Sequence, residues 1–250
     1  MSRYVALGSS MAAGPGIRPR ATGSPRRAGR SARNYPHLVA DRLGLPLVDV
    51  TYSGAATAHV LAERQHGAPP QADALDGSES LVTVTIGGND VGYVPMLFAA
   101  GLPRAARFIP LLGTKIRDLL NPQARLRALD EVGDALIAVG QTLRARAPRA
   151  TVLFVDYLTL LPDDPPLRDA DARLARHLAA TLEQLTADAA QATGCGLVRA
   201  GAASRDHHAW APEPWTTRFG VPAPGRPAPL HPNAAGMRAV AELVVAAVTG

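Results

Sequence analysis

The sequence predicts an α/β protein built around a parallel sheet of about five strands. Short runs rich in Val, Leu and Ile are typical of buried strands, and they cover residues 4–7, 47–51, 81–86, 151–155 and 196–199. Helical patterns separate these runs, and such alternation favours right-handed crossovers between parallel strands. With 250 residues the chain can bury a sizeable core. We therefore expect one domain over residues 1–250.

The longer helices are predicted by their end signals and by apolar residues spaced three or four apart. Gly44 should end one of them, because glycine readily adopts the left-handed conformation found after a helix. Asn121 and Pro122 are typical of the first residues of a helix. The helices predicted in this way cover residues 35–43, run from Asn121 to Pro148 and from Leu167 to Gly194, and end with one through Val248.

Residues 91–120 are apolar but interrupted by Gly101, Pro103 and Pro110. This pattern predicts several short helices in place of one long one. Ligand sites are lined mostly by apolar groups. The segment is therefore either a lid or wall of a substrate site or a part of the ordinary packing.

Polar residues and glycines follow the predicted strands at their carboxyl ends, where open α/β sheets bind ligands. The first strand leads into Gly8-Ser9-Ser10, and Ser10 would stand near the N-terminus of a short helix. Gly54 follows the second strand, Asn89 follows the third, and His231 precedes the last helix. Such a set supplies a nucleophile, two oxyanion donors and a base.

These four blocks, in this order along the chain, resemble the motifs of the SGNH hydrolases, also called the GDSL esterase/lipase family. The resemblance implies a three-layer, flavodoxin-like sandwich with helices on both faces of the sheet. It also implies ester hydrolysis without a metal or an organic cofactor. Ser10 would then be the nucleophile and His231 the base, and the N–H groups of Ser10 and Gly54 with the Asn89 amide would form the oxyanion hole.

Two positions depart from the family pattern. Ala228 stands where the family usually has the aspartate that orients the histidine, and residues 221–231 contain no acid. A backbone carbonyl can fix the same tautomer, so we expect a Ser–His dyad oriented by a carbonyl, that of Ala228, with Asp206 as the alternative. Ser9 replaces the aspartate of the GDS motif, and we expect no role for it in proton transfer. Asp90 is expected to cap the helix that follows it.

The remaining histidines and the two tryptophans do not predict a metal site. Adjacent residues of an extended chain point to opposite faces, and no cysteine or suitably spaced histidine completes a zinc ligand set with His207 and His208. Trp210 and Trp215 are read as anchors of the loop over residues 200–230, with a substrate platform as the alternative. No role is assigned to the histidines at positions 37, 59, 66 and 177.

The net charge of +5 comes from one segment, the Arg-rich loop over residues 18–33. Its six arginines have no acid among them, and the rest of the chain has 20 basic against 21 acidic residues. The loop is either solvated or a contact for an acidic substrate or an anionic surface. It lacks interleaved aromatic residues, so we do not expect a nucleic-acid partner.

Cys195 is the single cysteine, so no disulfide can form within the chain. No stretch approaches the roughly 18 apolar residues that a membrane span requires, and the first strand begins where a secretory signal would lie. We expect a cytoplasmic protein, with a trimmed secreted form as the alternative. The expected partner is a small-molecule or lipid ester, whose acyl chain and alcohol stay open, as does the oligomeric state.

The leading hypothesis is a carboxylic ester hydrolase. An acyltransferase that uses the same site would differ only in the acceptor. The other alternative is a non-catalytic binding protein that kept the fold and lost its chemistry together with the aspartate.

Overall fold

The computed structural model describes residues 2–223 and 225–250 and contains a single parallel sheet. Its strands are β1 (Arg3–Gly8), β2 (Leu47–Asp49), β3 (Glu79–Thr85), β4 (Thr151–Val155) and β5 (Gly196–Val198). They lie in the order β2-β1-β3-β4-β5, and every neighbouring pair is parallel. The predicted fold class, a three-layer α/β sandwich around about five parallel strands, is confirmed.

Nine α-helices surround the sheet in the described part of the chain. They are α1 (Ser10–Ala13), α2 (Tyr35–Leu43), α3 (Thr57–Leu61), α4 (Tyr93–Gly101), α5 (Leu112–Leu119), α6 (Pro122–Arg146), α7 (Asp169–Thr193), α8 (Ala200–Ala203) and α9 (Ala234–Thr249). Asn121 caps α6 through hydrogen bonds from two backbone N–H groups, and Gly194 ends α7 in the left-handed conformation. No helix within the described ranges is long and apolar enough to cross a membrane.

The two faces of the sheet carry two separate apolar cores, because successive side chains of a strand point to opposite faces. Val5 and Leu7 of β1 pack with residues of α4, α6 and α7 on one face. Tyr4 and Ala6 of the same strand pack with α2 and α9 on the other. The helices therefore form the outer layers of the sandwich, and the carboxyl ends of the strands share one edge.

The predicted boundaries differ from the observed ones mainly at strand ends. Strand β2 ends at Asp49, two residues early, because the Asp49 carboxylate accepts hydrogen bonds from the backbone N–H and the hydroxyl of Thr51 and turns the chain. Residues 91–120 form α4, a 3₁₀ turn over Arg104–Phe108, and α5. The expectation of several short helices in this segment therefore agrees with the structure.

Candidate active site

Ser10 is held at the carboxyl end of the sheet by a tight approach of β1 to β3. Gly8 has φ +136°, and a Cβ there would lie 2.5 Å from the carbonyl oxygen of Thr85, so the position requires glycine. The Ser9 N–H donates to that same carbonyl at 2.9 Å. Ser10 is then the first residue of α1, with 9% of its surface exposed, which leaves its hydroxyl at the edge of the site.

His231 reaches Ser10 from the loop before α9. Its Nε2 lies 2.8 Å from Ser10 Oγ, and its Nδ1 lies 2.7 Å from the carbonyl oxygen of Pro229. A carbonyl can only accept, so Nδ1 carries the proton and Nε2 is free to accept one from Ser10. The backbone of His231 is fixed by Thr217, whose N–H donates to the His231 carbonyl at 2.9 Å.

The group that orients His231 is a backbone carbonyl, but not the expected one. The Ala228 carbonyl instead accepts from the hydroxyl of Thr217 at 2.6 Å, and that of Pro229 faces the imidazole. Leu230, between Pro229 and His231, has φ +59°. Within the described residues no carboxylate is hydrogen-bonded or paired with His231. Asp206, the alternative, lies with Tyr157 along a different cleft.

Burial lowers the pKa of His231 below its usual value, and the hydrogen bond to the Pro229 carbonyl opposes this shift. An imidazole with a lowered pKa stays neutral to a lower pH. The neutral form is the one that can accept a proton from a serine hydroxyl.

The two other predicted donors lie side by side. The Asn89 amide donates to the Ala55 carbonyl at 2.8 Å with one of its two N–H bonds, which leaves the other for a ligand. Gly54 precedes Ala55 in a turn with φ +80°. Among the described residues, no acceptor is paired with the backbone N–H of Gly54 or of Ser10. In this part of the structure three donors near one edge of the sheet therefore have no acceptor among the described residues: the N–H groups of Ser10 and Gly54 and the second N–H of the Asn89 amide.

The prediction for Asp90 was wrong about which helix it caps. Its carboxylate accepts from the backbone N–H of Thr57 at 3.0 Å and also bonds the Thr57 hydroxyl, at the start of α3. The helix that follows Asp90, α4, begins after Gly92 with no side-chain cap. Together the Asn89 and Asp90 contacts join the turn after β3 to the segment that carries Gly54.

Tyr157 was missed, although it follows β4 at the same edge of the sheet as the predicted residues. Its hydroxyl oxygen accepts from the Gly88 N–H at 3.0 Å and lies 3.1 Å from Ser9 Oγ. Burial raises the pKa of Tyr157 to about 12, so this phenol keeps its proton. A Cβ at Gly88 would lie 2.8 Å from the Tyr157 ring. The tyrosine thus links the serine turn to the turn of Asn89.

Gln71 was also missed, because nothing in its sequence surroundings marks it. Its side-chain amide pairs with the backbone of Gly8 in both directions, at 2.7 Å to the Gly8 N–H and 3.1 Å to the carbonyl. It therefore fixes the last residue of β1 before the serine turn.

The adjacent histidines have structural contacts. His207 stacks on Trp215 with ring centroids 4.2 Å apart, and its Nδ1 bonds the Glu213 carbonyl. Trp210 packs edge-on against Phe219. Both tryptophans thus pack against neighbouring rings of the 200–230 loop.

The sequence matches the model of the GDSL-like lipase/acylhydrolase family over residues 6–239. It is 34% identical to Lipase 2 of Streptomyces coelicolor over 256 residues, which cover 96% of this chain and 83% of that protein. The family model thus spans the segments of Ser10, Gly54, Asn89 and His231.

Solved structures with this fold include a phospholipase and a lipase. The crystal structure of phospholipase A1 from Streptomyces albidoflavus NA297 is similar with a TM-score of 0.79 and 25% identity, covering 100% of this chain and 99% of that one. The extracellular lipase of Streptomyces rimosus has a TM-score of 0.76 at 22% identity, with both chains fully covered. At that identity the second similarity shows the fold alone.

Proposed function

The chain belongs to the GDSL-like lipase/acylhydrolase family of ester hydrolases, and we propose that it cleaves lipid esters through a dyad of Ser10 and His231. The observation that carries the proposal is the 2.8 Å contact of Ser10 Oγ with His231 Nε2, beside an Nδ1 held by the Pro229 carbonyl. Relatives named lipase and phospholipase A1 support a lipid ester as the substrate.

In the first half of the reaction Ser10 Oγ attacks the ester carbonyl carbon while His231 Nε2 takes its proton. The tetrahedral intermediate collapses when His231 returns that proton to the leaving alcohol oxygen. Water then attacks the acyl-serine ester, His231 takes a proton from the water, and Ser10 receives it back as the acid leaves. The Pro229 carbonyl keeps the imidazole in the required tautomer throughout.

The negative charge on the carbonyl oxygen would be met by the N–H groups of Ser10 and Gly54 and by the free N–H of the Asn89 amide. These donors are neutral, so they stabilise the oxyanion without competing for the proton that His231 carries. Their support is the unused donor capacity at all three positions and the contact of Asn89 with Ala55, next to Gly54.

The alternatives differ in the acceptor and in whether a reaction occurs: water is the acceptor in a hydrolase, another alcohol is the acceptor in an acyltransferase, and a binding protein catalyses no reaction. Labelling with a fluorophosphonate separates catalysis from binding, since only an activated serine reacts. We expect mass spectrometry to place the label on Ser10. Ser10→Ala should abolish both the label and the hydrolysis of a p-nitrophenyl ester.

Ser9→Ala is the matched control, because it removes a neighbouring hydroxyl that does not touch His231. We expect it to keep most of the activity. Label on Ser9 would contradict the proposed nucleophile, and so would an active Ser10→Ala variant.

A second experiment tests the dyad. Asp206→Asn should leave kcat nearly unchanged, because no contact joins Asp206 to the imidazole among the described residues. Removing the aspartate of a triad can lower kcat by about 10⁴. A loss of that size in Asp206→Asn would overturn the dyad.

The expectation of a cytoplasmic protein stays a prediction. A trimmed secreted form stays the alternative. Fractionation of the source cells, with detection of the active-site label in medium and lysate, distinguishes the two.

A further inference from the structure

The Arg-rich loop is folded and packs on the helix that begins at Ser10. The Ala21 N–H donates to the Arg30 carbonyl at 2.9 Å, which closes the loop on itself. The Ser31 N–H donates to the carbonyl of Ala13, the last residue of α1, also at 2.9 Å. The backbone of this loop is therefore held in place relative to the serine.

Four of these arginines line one open cleft of about 470 Å³, and no acidic residue lines it. Arg30 is already engaged, with its Nε 2.6 Å from the Thr51 carbonyl and 3.8 Å from the Asp49 carboxylate. Arg18, Arg20 and Arg26 are exposed, and none of them forms an ion pair with a described residue. The cleft thus presents three uncompensated guanidinium groups.

The walls of the cleft belong to the segments that carry the dyad and the oxyanion donors. Gly16, six residues after Ser10, lines it, and Pro15 accepts at 2.9 Å from the N–H of Ala228 in the loop of His231. Gly29 also lines it, and a Cβ there would lie 2.6 Å from Ser53 Oγ, one residue before Gly54. The cleft is therefore built on the same segments that carry Ser10, His231 and Gly54.

We propose that this cleft binds the phosphate group of an ester substrate, as in a glycerophospholipid whose ester lies at Ser10; this rests on the proposed function. Phosphate oxygens accept paired hydrogen bonds from the planar guanidinium fork. A single exposed contact of this kind contributes little, but three such arginines line the cleft and no acidic residue does. In a glycerophospholipid the glycerol backbone joins the phosphate to the esters, so one lipid carries both of the groups that the proposal places in the cleft and at Ser10.

The test compares two monomeric substrates, dihexanoyl-phosphatidylglycerol and dihexanoylglycerol, which share their acyl chains and differ in the phosphate headgroup. The measured quantity is the ratio of their kcat/KM values within one enzyme preparation, so that any misfolded fraction lowers both terms equally. We expect Arg18→Gln/Arg20→Gln/Arg26→Gln to lower the ratio of phospholipid to diacylglycerol by about 10- to 100-fold.

Arg27→Gln is the matched control. It removes the same charge from the same loop, but Arg27 does not line the cleft and contacts His66 at 3.1 Å. Its ratio should stay within about twofold of the wild-type value, because Arg27 does not line the cleft and the field of an exposed charge is weakened by solvent and salt. An unchanged ratio in the triple variant would overturn the proposal, and so would an equal fall in Arg27→Gln.

Inorganic phosphate distinguishes a headgroup site from a site for free phosphate. A headgroup site predicts that phosphate raises KM for the phospholipid and not for the diacylglycerol. An equal effect on both substrates would indicate a free-phosphate effector and overturn the headgroup assignment. If the proposed function itself were wrong, the Ser10→Ala variant would still cleave dihexanoylglycerol. That result is distinct from an unchanged substrate ratio in the triple variant.

Discussion

Ser9 stands where the resembled family has an aspartate, and its contacts suit a hydroxyl. The side chain is fully buried, and its Oγ lies 3.1 Å from the Tyr157 hydroxyl. An ionised carboxylate in this place would lose its hydration, which costs free energy unless a cation or several donors replace it. Ser9 therefore connects the serine turn to the residue after β4, and no contact joins it to His231 among the described residues.

Asn89 provides the first prediction at the scale of the residue. Asn89→Ala should lower kcat for a neutral ester by about 10²–10³ because one oxyanion donor is lost. KM should change little, since the donor acts mainly on the charge that develops in the transition state. Steady-state kinetics measure both values, with circular dichroism to check the fold. A folded variant with near-normal kcat would remove Asn89 from the mechanism.

The pH dependence of activity follows from the burial of His231. The proposed mechanism needs the neutral imidazole of His231, and burial lowers the pKa of this group below the ordinary value of about 6.5. The acid limb of the pH profile of kcat/KM should therefore have its midpoint below a pH of about 6.5. A histidine whose cation is stabilised by a carboxylate would place that midpoint at a higher pH. A pH–rate profile with a p-nitrophenyl ester measures it. An acid limb above that value would argue for a carboxylate partner.

Asp156 provides a prediction about stability. Burial is the main cause that raises the pKa of Asp156 to about 6, from an ordinary 3.8, and its Oδ2 is buried without a hydrogen-bond partner among the described residues. Between these two values the folded protein holds a proton that the unfolded chain has lost. The free energy of unfolding therefore decreases as the pH rises through this window. At a pH above the window the folded protein carries the full penalty of burying the ionised carboxylate of Asp156.

Asp156→Asn removes this titration. Relative to wild type, its free energy of unfolding should gain about 1–3 kcal/mol between about pH 4 and about pH 8. Urea unfolding at the two pH values measures the gain. The same substitution at Asp41, an exposed residue of α2, controls for the loss of one charge. A difference that does not change with pH would show that Asp156 titrates in its ordinary range.

At the scale of the element, the sequence predicted what depends on periodicity and on end signals. Helix α2 matched its predicted range because Asn34 and Gly44 form ordinary caps at its two ends. Asp90 was assigned to the wrong helix because capping by a residue distant in sequence depends on how two turns meet. The sequence around a residue does not show which turns come together in the fold. The contacts of Tyr157 and Gln71 were missed for the same reason.

We still predict that the segment containing α4 and α5 forms a wall of the substrate site. The Tyr93 N–H donates to the Gly88 carbonyl at 2.9 Å, and a Cβ at Gly101 would lie 2.8 Å from the Phe219 ring, in the loop that leads to His231. The segment therefore spans from the turn of Asn89 to the loop of the histidine. Phe108 and Leu111 within it are 85% and 82% exposed, which leaves them available to an acyl chain.

Phe108→Ser/Leu111→Ser should raise KM for a long-chain p-nitrophenyl ester by about 3- to 10-fold, because partial burial of these side chains against the chain is lost. KM for the acetyl ester should not change, since its acyl group is too short to reach them. Leu126→Ser on α6, which removes a half-exposed leucine outside the segment, is the control. An equal change in KM for both esters would indicate that the segment is ordinary packing and not a wall of the substrate site.

At the scale of the whole molecule, the site exists because parallel strands end at one edge of the sheet. That rule predicted that the segments of Ser10, Gly54 and Asn89 meet, whereas His231 was placed with them by the resemblance to the family. It did not predict that Pro229 would orient the imidazole in place of Ala228. The difference depends on Leu230, whose positive φ turns the chain just before His231, and loops have no periodicity from which such a turn is predicted.

The expectation of one domain leads to a prediction about unfolding. Each strand of the sheet contributes to both apolar cores, as Val5 and Tyr4 do for β1, so neither core persists once a central strand leaves. We expect one cooperative transition, with an unfolding enthalpy of about 170 kcal/mol near 60 °C for a chain of this length. Calorimetry should give equal calorimetric and van't Hoff enthalpies.

Fluorescence of Trp210 and Trp215 reports the loop near the dyad, and circular dichroism reports the helices around the sheet. Midpoints that coincide would support one unit, whereas two separated transitions would divide the chain into independently folding parts.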